Sequence, residues 1–92
     1  MKDIWIHPAL QKQIRTLPKK DRRAIGQAIA DAQLNLGQPH LHKGIGLQKL
    51  TRDLYEIRVG LKLRLVFSQT KSTLRFKMMG NHDEVHLFVK AR

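Results

Sequence analysis

The last third of the sequence most constrains the fold, because apolar and charged residues alternate there in three consecutive runs. The runs cover residues 54–59, 61–67 and 74–79. Side chains along a β-strand project to opposite faces with a period of two residues. The runs therefore predict an antiparallel sheet with one dry face and one positively charged face.

The alternation assigns residues to each face. The dry face is predicted to carry Leu61, Leu63, Leu65 and Phe67 from the second run and Leu74, Phe76 and Met78 from the third. The other face is predicted to carry Lys62, Arg64, Arg75 and Lys77. A sheet surface with this charge is complementary to a polyanion.

The net charge of +11 is concentrated in the same region. Residues 41–77 contain nine Lys or Arg and two acidic residues, whereas residues 78–92 balance at zero. A surface this basic favours binding to phosphate backbones through counterion release. An acidic protein partner that neutralises the charge is the alternative.

The length of 92 residues predicts one domain, residues 1–92. The absence of cysteine excludes disulfides and thiolate metal sites, which fits a reducing compartment. No apolar run approaches the roughly 20 residues that cross a bilayer, and no signal-peptide pattern follows the first residues. A cytoplasmic protein is therefore expected.

The first half of the chain predicts a strand and two helices. Residues 4–6 form a short apolar strand, in which Trp5 is expected to be a core anchor. Pro8 is favourable at the first position of a helix, and Pro18 ends that helix and begins another, which runs to about residue 36. Gly37 is placed to follow the end of the second helix as its C′ residue. The apolar stripes of the two helices predict a hairpin packed on the dry face of the sheet.

The remaining segments complete the fold prediction. Residues 38–46 are expected to form a loop, Gly60 a tight hairpin, and residues 85–89 either a last strand or a short helix. The predicted class is α+β, with a helical hairpin on one face of a small, mostly antiparallel twisted sheet.

In order and spacing, the sequence resembles the RelE/ParE toxin superfamily, whose members are bacterial toxins encoded beside an antitoxin. The resemblance covers nearly the whole chain. It rests on a first strand, a helical hairpin, and the run Leu54-Tyr55-Glu56-Ile57-Arg58-Val59-Gly60. A second strand with an arginine then follows, Leu63-Arg64-Leu65-Val66-Phe67. Finally, Gly80-Asn81-His82 is similar to the Gly-x-His ending of the YafQ-like and related RelE branches.

The resemblance implies a RelE/ParE-like fold and the toxin of a type II toxin–antitoxin system. RelE-branch members with RNase activity cleave mRNA, most of them in the ribosomal A site, through attack of a ribose 2′-hydroxyl on the adjacent phosphate. The resemblance therefore implies that this chain is a metal-independent endoribonuclease with no small-molecule cofactor. The implied partners are a cognate acidic antitoxin and mRNA on the 70S ribosome, with no membrane partner.

This reaction needs a base, an acid and cations that stabilise the pentacoordinate phosphate. His82 matches the family position used for acid or base work, and a histidine side chain exchanges protons near neutral pH. Arg64 matches the family's strand arginine, which would brace the scissile phosphate with paired donors. The resemblance adds one loop histidine, His42 rather than His40, as a third catalytic candidate. The alternatives are a histidine that caps a turn and an arginine that is simply solvated.

The other candidate residues would bind RNA rather than react with it. The basic candidates are Lys43, Lys49, Arg58, Lys62, Arg75 and Lys77. Near the C-terminus, where many RelE-type members have a catalytic tyrosine, this chain has His86 and Phe88. Phe88 could stack on a base but cannot transfer a proton, so an active enzyme would rely on histidine.

Three other functions compete with this one. The segment His82-Asp83-Glu84-Val85-His86 has some similarity to the zinc-protease motif, but an aspartate follows the first histidine where that motif has glutamate. A ParE-like inhibitor of DNA gyrase belongs to the same superfamily and would cleave no RNA. A non-catalytic member would only bind its antitoxin.

Overall fold

The computed structural model describes residues 1–91, which form one five-stranded sheet and four α-helices. The strands are β1 Asp3–Ile6, β2 Leu47–Lys49, β3 Tyr55–Val59, β4 Leu63–Gln69 and β5 Thr73–Gly80. The helices are α1 Pro8–Arg15, α2 Lys19–Asn35, α3 Pro39–His42 and α4 His82–Lys90. The spatial order is β1-β5-β4-β3-β2, with β1 parallel to β5 and the other pairs antiparallel. This arrangement confirms the predicted α+β class.

Helices α1 and α2 begin at the positions that the prolines predicted. Pro8 is the first residue of α1, and the Nδ1 of His7 accepts a hydrogen bond from the Ala9 amide at 3.0 Å, which caps the helix. Pro18 is the N-cap of α2. The apolar stripes of both helices pack on one face of the sheet and form the main core. Its buried members are Leu10, Ile25, Ala28, Ala32, Leu47, Ile57, Val59, Leu65, Phe67, Leu74 and Phe76.

Residues 38–46 differ from the predicted loop. They contain α3 and a 3₁₀ turn at Lys43–Ile45. Gly37 does follow the C-cap residue of α2, but within residues 1–91 only Gly46 and Gly60 have a positive φ, so Gly37 makes no left-handed cap. Instead, the side chain of His42, the last residue of α3, hydrogen-bonds to two carbonyls at the end of α2, those of Asn35 and Leu36.

A β-bulge between β4 and β5 changes which residues share a face. Val66 pairs with Met78, but its neighbour Phe67 pairs with Phe76, which leaves Lys77 without a partner in the ladder. Residues of β5 after the bulge therefore project to the face opposite the one that an uninterrupted alternation predicts. Met79 packs against the main core, whereas Met78 lies on the other face, so the prediction for Met78 was wrong.

Two other apolar residues also differ from prediction. Leu61 is 91% exposed, because β4 begins only at Leu63 and the preceding residues form the turn after β3. Gly60 has a φ of 66° in this turn, a conformation that favours glycine, in keeping with the predicted hairpin. Trp5 belongs to neither buried apolar cluster, so it is not the core anchor that its residue type suggested.

The sheet face opposite α1 and α2 is also partly covered. Helix α4 packs on it and buries a second apolar cluster, Leu54, Val66 and Val85. Of the two alternatives for residues 85–89, the helix is correct. The centre of the sheet is therefore buried on both faces, and its polar residues lie on either side of α4. None of the helices in residues 1–91 has the length and apolar character to cross a membrane.

Candidate active site

A cavity of about 410 Å³ lies between α4 and strands β2–β4, on the sheet face that α4 partly covers. Its lining residues are Gln48, Leu50, Glu56, Arg58, Arg64, His82, Val85, His86 and Val89. The fold thus brings Arg64 and His82, which are 18 positions apart in the sequence, to one cavity. Arg58, a predicted RNA contact, lines it as well.

Arg64 is held in this cavity by a buried carboxylate. Its Nε donates to Oε2 of Glu56 at 3.2 Å, and the Nε2 of Gln48 donates to the same oxygen at 3.2 Å. The side chains of Arg64 and Glu56 are only 14% and 6% exposed. Within residues 1–91 Arg64 makes no other side-chain hydrogen bond, so its two terminal nitrogens are available to a ligand.

A second arginine lies beside the first. Arg58 of β3 is directly opposite Arg64 of β4 in the antiparallel ladder. Like charges in this position repel one another, and the single carboxylate of Glu56 offsets only part of that repulsion. An anion bound between the two arginines would relieve the rest. The local electrostatics therefore favour a phosphate group in this cavity.

His82 is positioned by the cap of α4. The Asn81 side chain accepts a hydrogen bond from the Glu84 amide at 2.9 Å, and Oε1 of Glu84 accepts one from the Asn81 amide at 2.9 Å. This reciprocal capping box starts the helix at His82. Gly80 makes room for it, because a Cβ there would lie 2.8 Å from the Cβ of Glu84. Since Gly80 also pairs with Arg64, the cap ties His82 to the strand that carries the arginine.

We expect Gly80→Ala to lower the free energy of unfolding by about 1–2 kcal/mol, because the new methyl group displaces Glu84 and disrupts the cap. Urea denaturation followed by circular dichroism measures this change. The matched control is Gly26→Ala, in the middle of α2, where a Cβ would meet no atom within 4 Å. Alanine is the better helix former, so the control should be more stable by up to about 1 kcal/mol. Equal stability of the two variants would contradict the role assigned to Gly80.

His86 joins His82 in the cavity. The two histidines are four residues apart on α4, so they share a helix face. Their ring centroids are 6.3 Å apart and their planes differ by 20°. Both side chains are exposed, and neither makes a hydrogen bond to another residue in the described part of the chain. Within residues 1–91, no group of three or more His, Asp or Glu side chains is arranged to hold a metal ion.

A neighbouring hollow extends the cavity along β2 and β3. It has a volume of about 310 Å³, shares Gln48, Glu56 and Arg58 with the cavity, and reaches Lys43. Gly46 forms part of its wall with a φ of 70°, and a Cβ on Gly46 would lie 2.7 Å from the Cβ of Arg58. Lys43 and Arg58, both candidate RNA contacts, therefore line a hollow that borders the cavity of Arg64 and His82.

Three of the other predicted residues lie elsewhere. The Nε2–H of His42 donates to the carbonyls of Asn35 and Leu36 at 2.8 and 2.9 Å, so this ring caps α2 and does not line the cavity. Lys49 is two residues from Leu47 on β2, and the alternation places it on the sheet face that α1 and α2 cover. Lys62 lies in the turn before β4, in a hollow that it shares with Lys20 and Asp21.

The remaining three are also away from the cavity. Arg75 pairs with Ser68, four residues along β4 from Arg64, and its guanidinium lies 4.3 Å from the centroid of the Trp5 ring. Lys77 is the unpaired residue of the bulge. Phe88 is partly buried against the second apolar cluster, on a side of α4 different from that of His82.

Two reactive side chains of the cavity, Glu56 and His86, were not among the predicted site residues. Glu56 alternates onto the face of Arg58 and Arg64, so the pattern that identified these arginines could also have identified the carboxylate. The sequence indicated His86 in two ways, near the position where many RelE-type members have a tyrosine and in the segment with similarity to the zinc-protease motif. Neither made it a partner of His82 in RNA cleavage, although a spacing of four residues puts both on one face of a helix.

Comparisons with known proteins bear on the fold. YafQ from Escherichia coli strain BL21(DE3) superposes with a TM-score of 0.67 at 19% identity, covering 92% of this chain and 98% of YafQ. The archaeal RelE of the RelE–RelB complex from Pyrococcus horikoshii OT3 gives a TM-score of 0.65 at 21% identity, covering 87% and 93%. The YoeB dimer from Staphylococcus aureus gives 0.69 at 19% identity, covering 88% and 97%.

At the level of sequence, no protein-family model and no curated protein matches this chain. Solved structures related to those above include a toxin–antitoxin complex of YafQ with DinJ and an antitoxin–toxin complex of RelE with RelB. The resemblance that the sequence suggested is thus confirmed for the fold. This chain has the fold shared by the RelE, YafQ and YoeB toxins.

Proposed function

We propose that this chain is the toxin of a type II toxin–antitoxin pair and a member of the RelE branch of the RelE/ParE superfamily. Its activity is endonucleolytic cleavage of ribosome-bound mRNA, which stops translation. The observation that carries the proposal is the cavity in which a braced arginine, Arg64, faces two histidines, His82 and His86. These are the kinds of group that RNA cleavage by a 2′-hydroxyl requires.

Arg64 supplies charge to the transition state. During the reaction a 2′-oxygen bonds to phosphorus while the bond to the 5′-oxygen breaks, and negative charge grows on the non-bridging oxygens. The terminal nitrogens of Arg64 donate to those oxygens, and Arg58 opposite adds a second cation. Glu56 acts as a positioning residue, because it holds Arg64 through Nε and leaves the rest of the guanidinium toward the phosphate.

The two histidines move the protons. One takes the proton of the 2′-hydroxyl, and the other gives a proton to the departing 5′-oxygen. In-line displacement puts these oxygens on opposite sides of phosphorus, so the two groups must stand several ångströms apart. A ring separation of 6.3 Å between His82 and His86 suits this requirement. The pair thereby replaces the tyrosine that many RelE-type members have near this position.

The walls of the cavity suit a nucleotide. Leu50, Val85 and Val89 give one apolar side on which a base can lie, and the arginines give the other side for the phosphate. The hollow toward Lys43 continues the positive surface for the flanking backbone. Binding of this kind is independent of the base sequence except where a base enters the cavity.

The same charge suits an acidic antitoxin as a partner. Similar folds have been solved in complexes with RelB, DinJ and YefM. An acidic segment laid over the arginines and Lys43 would neutralise the charge and occupy the cavity. Expression without that partner should therefore be toxic to a bacterial cell.

Induction of the chain in Escherichia coli tests the proposal. We expect translation to stop within minutes and cuts to appear in ribosome-bound mRNA, both abolished by His82→Ala. A ParE-like gyrase inhibitor would instead cause DNA damage and filamentation that are indifferent to His82→Ala. A chain that only binds an antitoxin would cause neither effect. Either of these results would contradict the proposed nuclease.

A further inference from the structure

A second exposed cluster lies on the same sheet face, at the edge formed by β1. It consists of Trp5 on β1, Arg75 on the neighbouring β5, and His7 at the start of α1. Ile4 and Ile6 pack into the main core, so the strand alternation turns Trp5 to the opposite face. On β5, Leu74 and Phe76 pack into the main core, so Arg75 between them also projects to the opposite face. No residue of this cluster lines the cavity of the candidate active site.

Trp5 is not accounted for by the fold. It belongs to neither buried cluster and is only partly buried. Its indole nitrogen makes no hydrogen bond within residues 1–91, and no buried side-chain nitrogen or oxygen there lacks a partner. The indole N–H is therefore at the solvent surface. A large aromatic ring in such a position, on a strand at the edge of a sheet, is typical of a contact surface rather than of a core.

The two neighbours of Trp5 add positive charge and a donor. The exposed guanidinium of Arg75 lies 4.3 Å from the ring centroid and has no carboxylate within ion-pair distance among the described residues. The His7 ring meets Trp5 edge-on at 5.8 Å, with an interplanar angle of 80°. Because Nδ1 of His7 accepts the Ala9 amide, the neutral ring carries its proton on Nε2, which is free to donate.

We propose that this cluster binds a base and phosphate of single-stranded RNA, on the strand whose scissile linkage occupies the cavity. The inference rests on the proposed function. Aromatic rings and arginine planes are the surfaces on which unpaired bases stack, and stacking tolerates every base. Tryptophan side chains at the surface also occur in protein interfaces, and RNA is favoured here because the cluster lies on the sheet face that carries the cavity.

The position of the cluster fits a single strand that contacts both sites. Arg75 pairs with Ser68, four residues along β4 from Arg64, which corresponds to about 13 Å at the usual rise of a strand. On β5 the bulge residue Lys77 adds a further basic side chain, and the acid nearest along β1 is Asp3, two residues before Trp5 on the same face of the strand. An RNA of several nucleotides can therefore reach from the cavity to Trp5.

Because Trp5 is the sole tryptophan of the chain, its fluorescence reports this contact directly. The probe is a dodecamer of 2′-O-methyluridine, which cannot be cleaved through a 2′-hydroxyl. We expect the dodecamer to quench the fluorescence to saturation, with the same Kd as the anisotropy of a labelled copy. Polyphosphate at equal phosphate concentration should quench much less, because it has no base to stack.

Variants separate stacking from general charge. Arg75→Gln should raise the Kd of the dodecamer about tenfold, the size of effect expected for the loss of one stacked base. Arg22→Gln on the exposed surface of α2 removes the same charge on the other side of the sheet and should change the Kd by less than about twofold. Arg64→Gln should raise the Kd measured by Trp5 fluorescence, because the same RNA strand contacts both sites.

The outcomes distinguish this inference from the nuclease proposal. Fluorescence that stays constant at saturating RNA, or equal effects of Arg75→Gln and Arg22→Gln, would overturn the stacking contact even in an active enzyme. A Kd indifferent to Arg64→Gln would overturn the assignment to the substrate strand. Intact quenching in a chain that cuts no RNA would leave the contact standing and overturn only the nuclease.

Discussion

His82→Ala should lower the rate of RNA cleavage by about 10²–10⁴-fold, the usual contribution of a positioned acid or base. Its side chain is exposed and makes no hydrogen bond to the described residues, so the free energy of unfolding should change by less than about 0.5 kcal/mol. Cleavage of a short labelled RNA at saturating concentration measures the rate, and urea denaturation measures stability. A large loss of activity with unchanged stability is the signature of a residue that acts in the reaction.

The same assay tests whether His86 is the partner of His82. His86→Ala should cause a loss of similar size, and the double variant should lose little more than either single variant, because the two act as a unit. His40→Ala is the matched control, since His40 is an exposed histidine that does not line the cavity. A His86→Ala enzyme with full activity would exclude His86 from proton transfer and leave His82 without its proposed partner.

The second large effect is expected at Arg64. Arg64→Gln should reduce cleavage by about 10²–10³-fold, because the transition state loses its main cation. It should also lower the free energy of unfolding by about 3 kcal/mol, since it leaves the buried Glu56 carboxylate without its charge partner. The double variant Glu56→Gln/Arg64→Gln removes both charges and should recover most of that stability. It should recover no activity.

Arg58→Gln is the control for charge alone. Arg58 is exposed, forms no ion pair among the described residues and opposes Arg64 across the ladder. Its removal should leave stability unchanged or slightly higher, because a like-charge pair disappears, while RNA binding weakens. If Arg64→Gln and Arg58→Gln had equal effects on stability and rate, the distinct role of the Arg64–Glu56 pair would be wrong.

Local signals in the sequence predicted most of the fold. Pro8 and Pro18 mark helix starts because the proline ring is favourable in the first turn, and the apolar stripes of α1 and α2 follow a helical period. The alternating runs predicted β3, β4 and β5. The three residues of β2 contain too little pattern to be detected, because a strand this short owes its existence to pairing with β3.

The wrong predictions concern residues near an irregularity in strand pairing or residues that contact a segment distant in the sequence. The bulge at Lys77 reverses the faces of Met78 and Met79, and no local pattern announces it. The family resemblance suggested His42 as a catalytic candidate because of its place in the loop, but two carbonyls at the end of α2 accept hydrogen bonds from its ring instead. Those carbonyls are exposed to His42 only after the chain has turned through α3.

Only part of the candidate site was predictable from the sequence, because some of its contacts depend on strand pairing. Arg64 and His82 were predicted from the resemblance to the RelE/ParE toxins, through the strand arginine and the Gly-x-His ending, and both line the cavity. The brace provided by Glu56 and Gln48 depends on the pairing of β2, β3 and β4, which becomes visible only in three dimensions. The contact between Trp5 and Arg75 likewise depends on the parallel pairing of the first strand with the last.

The most direct test of the central claim is the chemistry of the cut. An RNA that is cleaved at one linkage should resist cleavage when the ribose 5′ to that linkage lacks its 2′-hydroxyl, and the products of the normal RNA should end in a 2′,3′-cyclic phosphate or 3′-phosphate and a 5′-hydroxyl. Undiminished cleavage of the 2′-deoxy substrate, or products with a 5′-phosphate, would contradict the assignment of Arg64, His82 and His86 to this reaction.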